Sequence, residues 1–108
     1  MNILFICSRN IWRSPTAEAI YKGKHGLEVR SAGTEPSAKI KVNRKLLEWA
    51  DLIFAMEKRH KQRLLEKFPE DMIGKTIVVL DIPDEYRFMD EELVESIQTS
   101  VSPYLDSI

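Results

Sequence analysis

Ile3-Leu4-Phe5-Ile6 is an unbroken apolar run near the start of the chain. A strand with one wet face alternates, so a run without alternation predicts a strand covered on both sides. The rest of the sequence supplies the cover. Ala17, Ile20 and Tyr21 give a first helix its apolar stripe, with Ser14-Pro15 read as N-cap and first helical residue, and Gly23 and Gly26 end it. Leu27–Ser31 predicts a second strand closed by Gly33, and Val42, Leu46 and Trp49 a second helix face. Leu52–Met56 predicts a third strand, and Thr76–Leu80 a fourth, rich in β-branched residues. Between them, Glu57–Phe68 predicts a helix with His60, Leu64 and Phe68 on one face, stopped by Pro69. Asp90 caps a last helix carrying Leu93, Val94, Ile97 and Val101, which Pro103 kinks or ends.

The order is β-α-β-α-β-α-β-α. Strict alternation predicts an α/β fold: a four-stranded parallel sheet with helices on both faces. In such sheets ligands bind beyond the carboxyl ends of the strands. The segments to search are therefore 7–13, 31–38, 57 onward and 81–88. At 108 residues the chain is expected to be one domain, 1–108.

One cysteine excludes an internal disulfide, a multi-cysteine zinc site and two-cysteine redox chemistry within the chain. His25 and His60 have no carboxylate or thiol at ligand spacing, so no metal and no cofactor are expected. Net charge is −1, which does not favour nucleic acid as a partner. The charge is uneven: residues 1–50 hold nine Lys+Arg and four Asp+Glu, residues 51–108 seven and thirteen. The basic run Lys58–Arg63 lacks interleaved aromatics and reads as a solvated helix face with His60 partly buried. The N-terminal run has no basic flank and no stretch approaches about 18 apolar residues, so a cytoplasmic protein without membrane association is expected.

Cys7-Ser8-Arg9-Asn10-Ile11-Trp12-Arg13-Ser14 joins the buried first strand to a helix N-terminus. A tight loop there aims successive backbone N–H groups inward and adds the positive end of the helix dipole. That field suits a phosphate dianion and stabilises a thiolate. Arg13 closes the loop with a planar fork that can hold two phosphate oxygens. A lone cysteine in a strand is by itself a small core residue, and Arg13 by itself a surface cation. The combination C-x5-R-S-P between strand and helix is the specific signal.

This segment resembles the signature C-x-G-N-x-C-R-S-P of the low-molecular-weight protein tyrosine phosphatases, matching at Cys7, Asn10, Arg13, Ser14 and Pro15. Ser31-Ala32-Gly33-Thr34 resembles the family's S-A-G-T, residues 50–56 its third strand, and Ile82–Tyr86 the segment bearing its general acid. The resemblance implies a phosphomonoester hydrolase working through phosphocysteine, with a phosphorylated protein or small phosphomonoester as substrate. It implies Cys7 as nucleophile, Arg13 as phosphate clamp, Asp84 as general acid and base, and Asn10 and Ser14 as supports. Ser8, Arg9, Asn10, Ile11, Trp12, Arg13 and Ser14 form the phosphate-binding loop. Trp12 and Tyr86 are candidate walls for a phenyl phosphate. Asp81 is the rival acid; Pro83 biases Ile82 toward extended geometry, so the two acids face different directions.

Departures from the signature bear on substrate. Arg9 replaces glycine, which is costly if that position needs positive φ, and adds a guanidinium that attracts acidic substrates. Trp12 replaces a second cysteine, and Glu85 the proline after the acid. Residues 34–50 form a shorter stretch than the family carries there. Two other functions fit the same loop: an arsenate reductase-like enzyme using an external thiol, and a non-catalytic phosphate- or phosphoprotein-binding module.

Overall fold

The computed structural model describes residues 1–24 and 26–105; His25 lies outside the described residues. Its elements are β1 (Asn2–Cys7), α1 (Arg13–Tyr21), β2 (Glu28–Gly33), α2 (Arg44–Trp49), β3 (Leu52–Ala55), α3 (Lys58–Lys67), β4 (Thr76–Val79) and α4 (Glu91–Leu105). The four strands pair in parallel in the order β2-β1-β3-β4, as the alternation predicts. β1 and β3 are both flanked by strands, and β1 lies fully inside, which explains its unbroken apolar sequence.

The two faces of β1 feed two cores. Ile3, Phe5 and Cys7 point to the side covered by α1 and α4, through Ala17, Ile20, Leu93, Ile97 and Val101. Leu4 and Ile6 point to the side of α2 and α3, against Leu47, Leu64 and Met72. Phe5 stacks between Tyr21 and Phe54, with ring centroids 6.0 and 5.3 Å away. The sheet order reverses between β1 and β3, so the loops after these strands leave in opposite directions and open a crevice between them. Cys7 ends β1 opposite Gly33 at the end of β2, on the rim of that crevice.

Several local expectations change. Ser14 is not a cap: Trp12 occupies the N-cap position of α1 without a side-chain bond, and the Ser14 hydroxyl turns inward to Cys7 instead. Val42 is buried but precedes α2, whose N-cap is Asn43, accepting from Leu46 N–H at 2.9 Å; Leu47 is that helix's fully buried residue. Pro103 does not end α4, which runs to Leu105. Proline there deprives the Thr99 carbonyl of a donor, and Thr99 borders an open groove where water can replace it. Asp90 does cap α4, accepting from Glu92 N–H at 2.9 Å. Among the described residues no helix is long and apolar enough to cross a membrane.

Candidate active site

The loop after β1 is shaped by the segment after β2. Cys7, Ser8 and Arg9 each turn a carbonyl outward, to the N–H groups of Thr34 (3.0 Å), Glu35 (2.9 Å) and Lys39 (3.0 Å). In a trans peptide the N–H points opposite to the carbonyl. The N–H groups of Ser8, Arg9 and Asn10 therefore face into the loop. One shows its target directly: Asn10 N–H donates to Cys7 Sγ at 3.3 Å. Gly33 permits this close approach, because a Cβ there would sit 2.5 Å from the Ser8 carbonyl oxygen and 2.7 Å from Ala38 Cβ.

Asn10 carries the turn. Its φ is +56°, a region that asparagine tolerates better than most residues. Arg9 has no positive φ, so it replaces glycine without that backbone cost. The Asn10 amide donates to Ser14 Oγ (2.8 Å) and Ser31 Oγ (2.9 Å), and Ser31 donates to Glu18 at 2.5 Å. Ser14 Oγ lies 3.0 Å from Cys7 Sγ. A Cys7 thiolate can only accept, so in that form the Ser14 hydroxyl, which accepts from Asn10 and has the Ala32 carbonyl 3.5 Å away, turns its proton to the sulfur. Two donors thus converge on Sγ, from Ser14 and from the Asn10 backbone.

Arg13 is 2% exposed. Its Nη1 donates to Glu57 Oε1 (2.5 Å) and to the Ile82 carbonyl (2.9 Å). Of five guanidinium protons, both on Nη1 are therefore spent, and those on Nε and Nη2 remain. Asp84 Oδ1 lies 3.6 Å from Nε, with its side chain about half exposed. Asp81 has φ +56° and lines separate surface grooves beside Glu57 and Leu80. Of the two candidate acids, Asp84 alone borders the loop cavity.

That cavity is lined by Cys7, Ser8, Arg9, Ile11, Trp12, Arg13 and Asp84 and measures about 80 Å³. A water in the liquid takes about 30 Å³. The cavity is small and deep-set, and Ile11 and Trp12 stand at its mouth, 40% and 42% exposed. Tyr86, the other candidate wall, does not line this cavity: it is half-buried, packs against the core under α1 and α4, and lines the groove between Leu80–Pro83 and α4.

Two residues of the site went unrecognised in the sequence. Glu57 follows β3 and reaches Arg13 across the crevice, sharing its carboxylate with Arg59 at 3.1 Å. Burial pushes its carboxyl up, but the hydrogen bonds and charges of Arg13 and Arg59 hold it below the usual carboxylate range. His60 is fully buried rather than partly so, and its Nε2 lies 2.8 Å from Ser8 Oγ. The usable signal was Glu-x-x-His directly after a strand. The Glu57 backbone N–H donates to His60 Nδ1 at 3.0 Å, in the manner of a reciprocal helix cap.

His60 is depressed to about 4 by burial, helped by the positive charges of Arg13 and Arg59. The unfolded chain protonates this ring near 6.5 and the folded chain does not. Stability is therefore lost as pH falls from about 6.5 toward 4, by up to about 3 kcal/mol. Thermal unfolding at pH 7 and pH 4.5 should show a larger drop for wild type than for His60→Gln; equal drops would contradict a buried neutral ring.

Residues 2–46 match the family model "Low molecular weight phosphotyrosine protein phosphatase". The chain is 37% identical over 116 residues to the low molecular weight protein-tyrosine-phosphatase Wzb of Escherichia coli (strain K12), covering 80% of this chain and 78% of that protein. It is 33% identical over 92 residues to a protein-arginine-phosphatase of Geobacillus stearothermophilus, covering 63% of this chain and 62% of that protein. Its fold superposes on Vibrio vulnificus Wzb, solved in complex with benzylphosphonate, with a TM-score of 0.77 and 26% identity over 99% of this chain and 98% of that one.

Proposed function

Because this chain belongs to the low molecular weight phosphotyrosine protein phosphatase family, whose members are cysteine-dependent phosphatases, we propose that it hydrolyses phosphotyrosine in proteins through a phosphocysteine on Cys7. The observation that carries this reading is the convergence of Ser14 Oγ (3.0 Å) and Asn10 N–H (3.3 Å) on Sγ at the base of a small cavity.

Mechanism follows from that geometry. The Cys7 thiolate attacks phosphorus in line with the leaving oxygen, forming the P–S bond as the P–O bond breaks. The inward N–H groups and the free edge of Arg13 hold the three equatorial oxygens. Asp84, at the mouth, gives its proton to the departing oxygen. Its carboxylate then takes a proton from water, whose oxygen attacks phosphorus. The P–S bond breaks, phosphate leaves and the thiolate returns.

The substrate reading rests on the walls. Ile11 and Trp12 present apolar surface at the mouth, which favours a phenyl ring over an aliphatic or guanidino leaving group. Arg9 lines the same mouth and makes no ion pair among the described residues, which favours acidic residues flanking the phosphotyrosine. Peptides of one sequence bearing phosphotyrosine, phosphoserine or phosphoarginine test this. The phosphotyrosine peptide should have a kcat/KM at least about ten-fold above either other; equal turnover of phosphoserine removes the aromatic-wall argument. Asp84→Asn should slow phenyl phosphate about 10²- to 10⁴-fold and p-nitrophenyl phosphate, with its better leaving group, much less. If Asp81→Asn does this and Asp84→Asn does not, the acid is Asp81.

A further inference from the structure

Ser8 follows the nucleophile and His60 sits 52 residues later on α3, yet Ser8 Oγ and His60 Nε2 are 2.8 Å apart and both residues are buried. The direction of that bond can be derived. His60 Nδ1 accepts the Glu57 backbone N–H at 3.0 Å, and an amide N–H can only donate. Nδ1 is therefore bare, the neutral ring carries its proton on Nε2, and Nε2–H donates to Ser8. A serine hydroxyl has one proton and two lone pairs. The ring takes a lone pair, and among the described residues no acceptor takes the proton. Ser8 lines the Cys7 cavity.

We propose that His60 is a positioning residue that, through its fixed tautomer, holds the Ser8 hydroxyl as an additional hydrogen-bond donor to the phosphoryl group bound over Cys7. The proposal deepens the phosphatase reading, since it assigns a ligand oxygen to that same cavity. It makes Ser8 more than a spacer between Cys7 and Arg9: its side chain joins the loop amides and Arg13 on the phosphate. It also ties the cavity to α3 twice, through Glu57 on Arg13 and through His60 on Ser8. Both links emanate from the first turn of one helix.

The test reads inorganic phosphate affinity by calorimetry in the Cys7→Ser background, so that it reports whether or not the wild-type protein turns over substrate. Ser8→Ala should weaken phosphate about ten-fold or more, the size of a hydrogen bond to a charged group. His60→Leu should weaken it similarly. The double variant should be no weaker than either single one, because both remove the same donor. His60→Gln, whose amide can accept from Glu57 and donate to Ser8, should restore affinity to within about three-fold. Nitrogen shifts of the His60 ring should report a protonated Nε2 and a bare Nδ1. The proposal is overturned if Ser8→Ala leaves phosphate affinity unchanged, or if His60→Leu weakens binding as much in the Ser8→Ala background as alone. Should His60→Leu not fold, the Ser8→Ala and His60→Gln arms and the ring spectrum still decide it. Absence of turnover by reduced wild-type protein, with these affinities as expected, would fail the phosphatase reading alone.

Discussion

Cys7→Ser should reduce turnover of p-nitrophenyl phosphate by at least about 10⁴-fold while leaving phosphate binding within a few-fold of wild type. The two halves of that result come from different atoms. Turnover needs a thiolate, because a serine hydroxyl at the same place keeps its proton and is a poor nucleophile without a base. No base stands ready to take it: Ser14 is a donor to Sγ, Asp84 sits at the mouth against Arg13, and His60 is turned to Ser8. Binding needs the inward N–H groups and Arg13, and neither depends on sulfur. The carbonyls of Cys7, Ser8 and Arg9 stay anchored on residues 34, 35 and 39 whatever the side chain at position 7. Freshly reduced wild-type protein and the variant should be assayed side by side, with inorganic phosphate titrated into both. A variant within ten-fold of wild type would place the nucleophile elsewhere. A variant that lost phosphate binding as well would mean that sulfur organises the loop.

The architecture was legible because β1 is buried on both faces. Four strands separated by amphipathic helices leave few parallel arrangements, and the observed order β2-β1-β3-β4 is one of them. The phosphate loop was legible because its parts are contiguous between Cys7 and Ser14. What was not legible depends on contacts distant in sequence. Glu57 and Arg13 are 44 residues apart, Ser8 and His60 52. His60 shares a helical stripe with Leu64 and Phe68, so periodicity assigns it to packing and is silent about the ring nitrogens. Ser14 carries two readings: as the cap of a Ser-Pro helix start it is wrong, and as the partner of Cys7 that the resemblance implies it lies 3.0 Å from the sulfur. At this helix start the hydroxyl is drawn to Cys7 and Asn10 instead. Tyr86, read as a substrate wall because an aromatic stands near an acid, packs against the apolar core beneath α1 and α4, a contact the local sequence does not show. In each case a buried contact outweighed what the local pattern suggests.

Arg13→Lys should lower kcat/KM for phenyl phosphate by about 10²- to 10³-fold, although it conserves the charge. On the proposed mechanism Arg13 performs two tasks with different edges of one plane. Nη1 is fixed by Glu57 Oε1 and the Ile82 carbonyl, which turns the Nε–Nη2 edge, with Asp84 Oδ1 3.6 Å from Nε, toward the cavity where the proposed mechanism places the phosphate. A lysine ammonium has three protons on one atom. If it satisfies Glu57 and the Ile82 carbonyl it sits back from the phosphate, and if it reaches the phosphate it abandons a buried carbonyl. The fork's second contact to the equatorial oxygens is lost either way, and that contact is worth most in the transition state. Glu57→Gln separates clamping from support. It removes the carboxylate that steadies Nη1 but keeps the Ile82 carbonyl and the guanidinium itself, so its cost should be nearer ten-fold. Kinetics of both variants on phenyl phosphate, with inorganic phosphate as competitive inhibitor, decide the matter. If Arg13→Lys stays within ten-fold of wild type, or Glu57→Gln costs as much as Arg13→Lys, then Arg13 serves the ion pair rather than the phosphate.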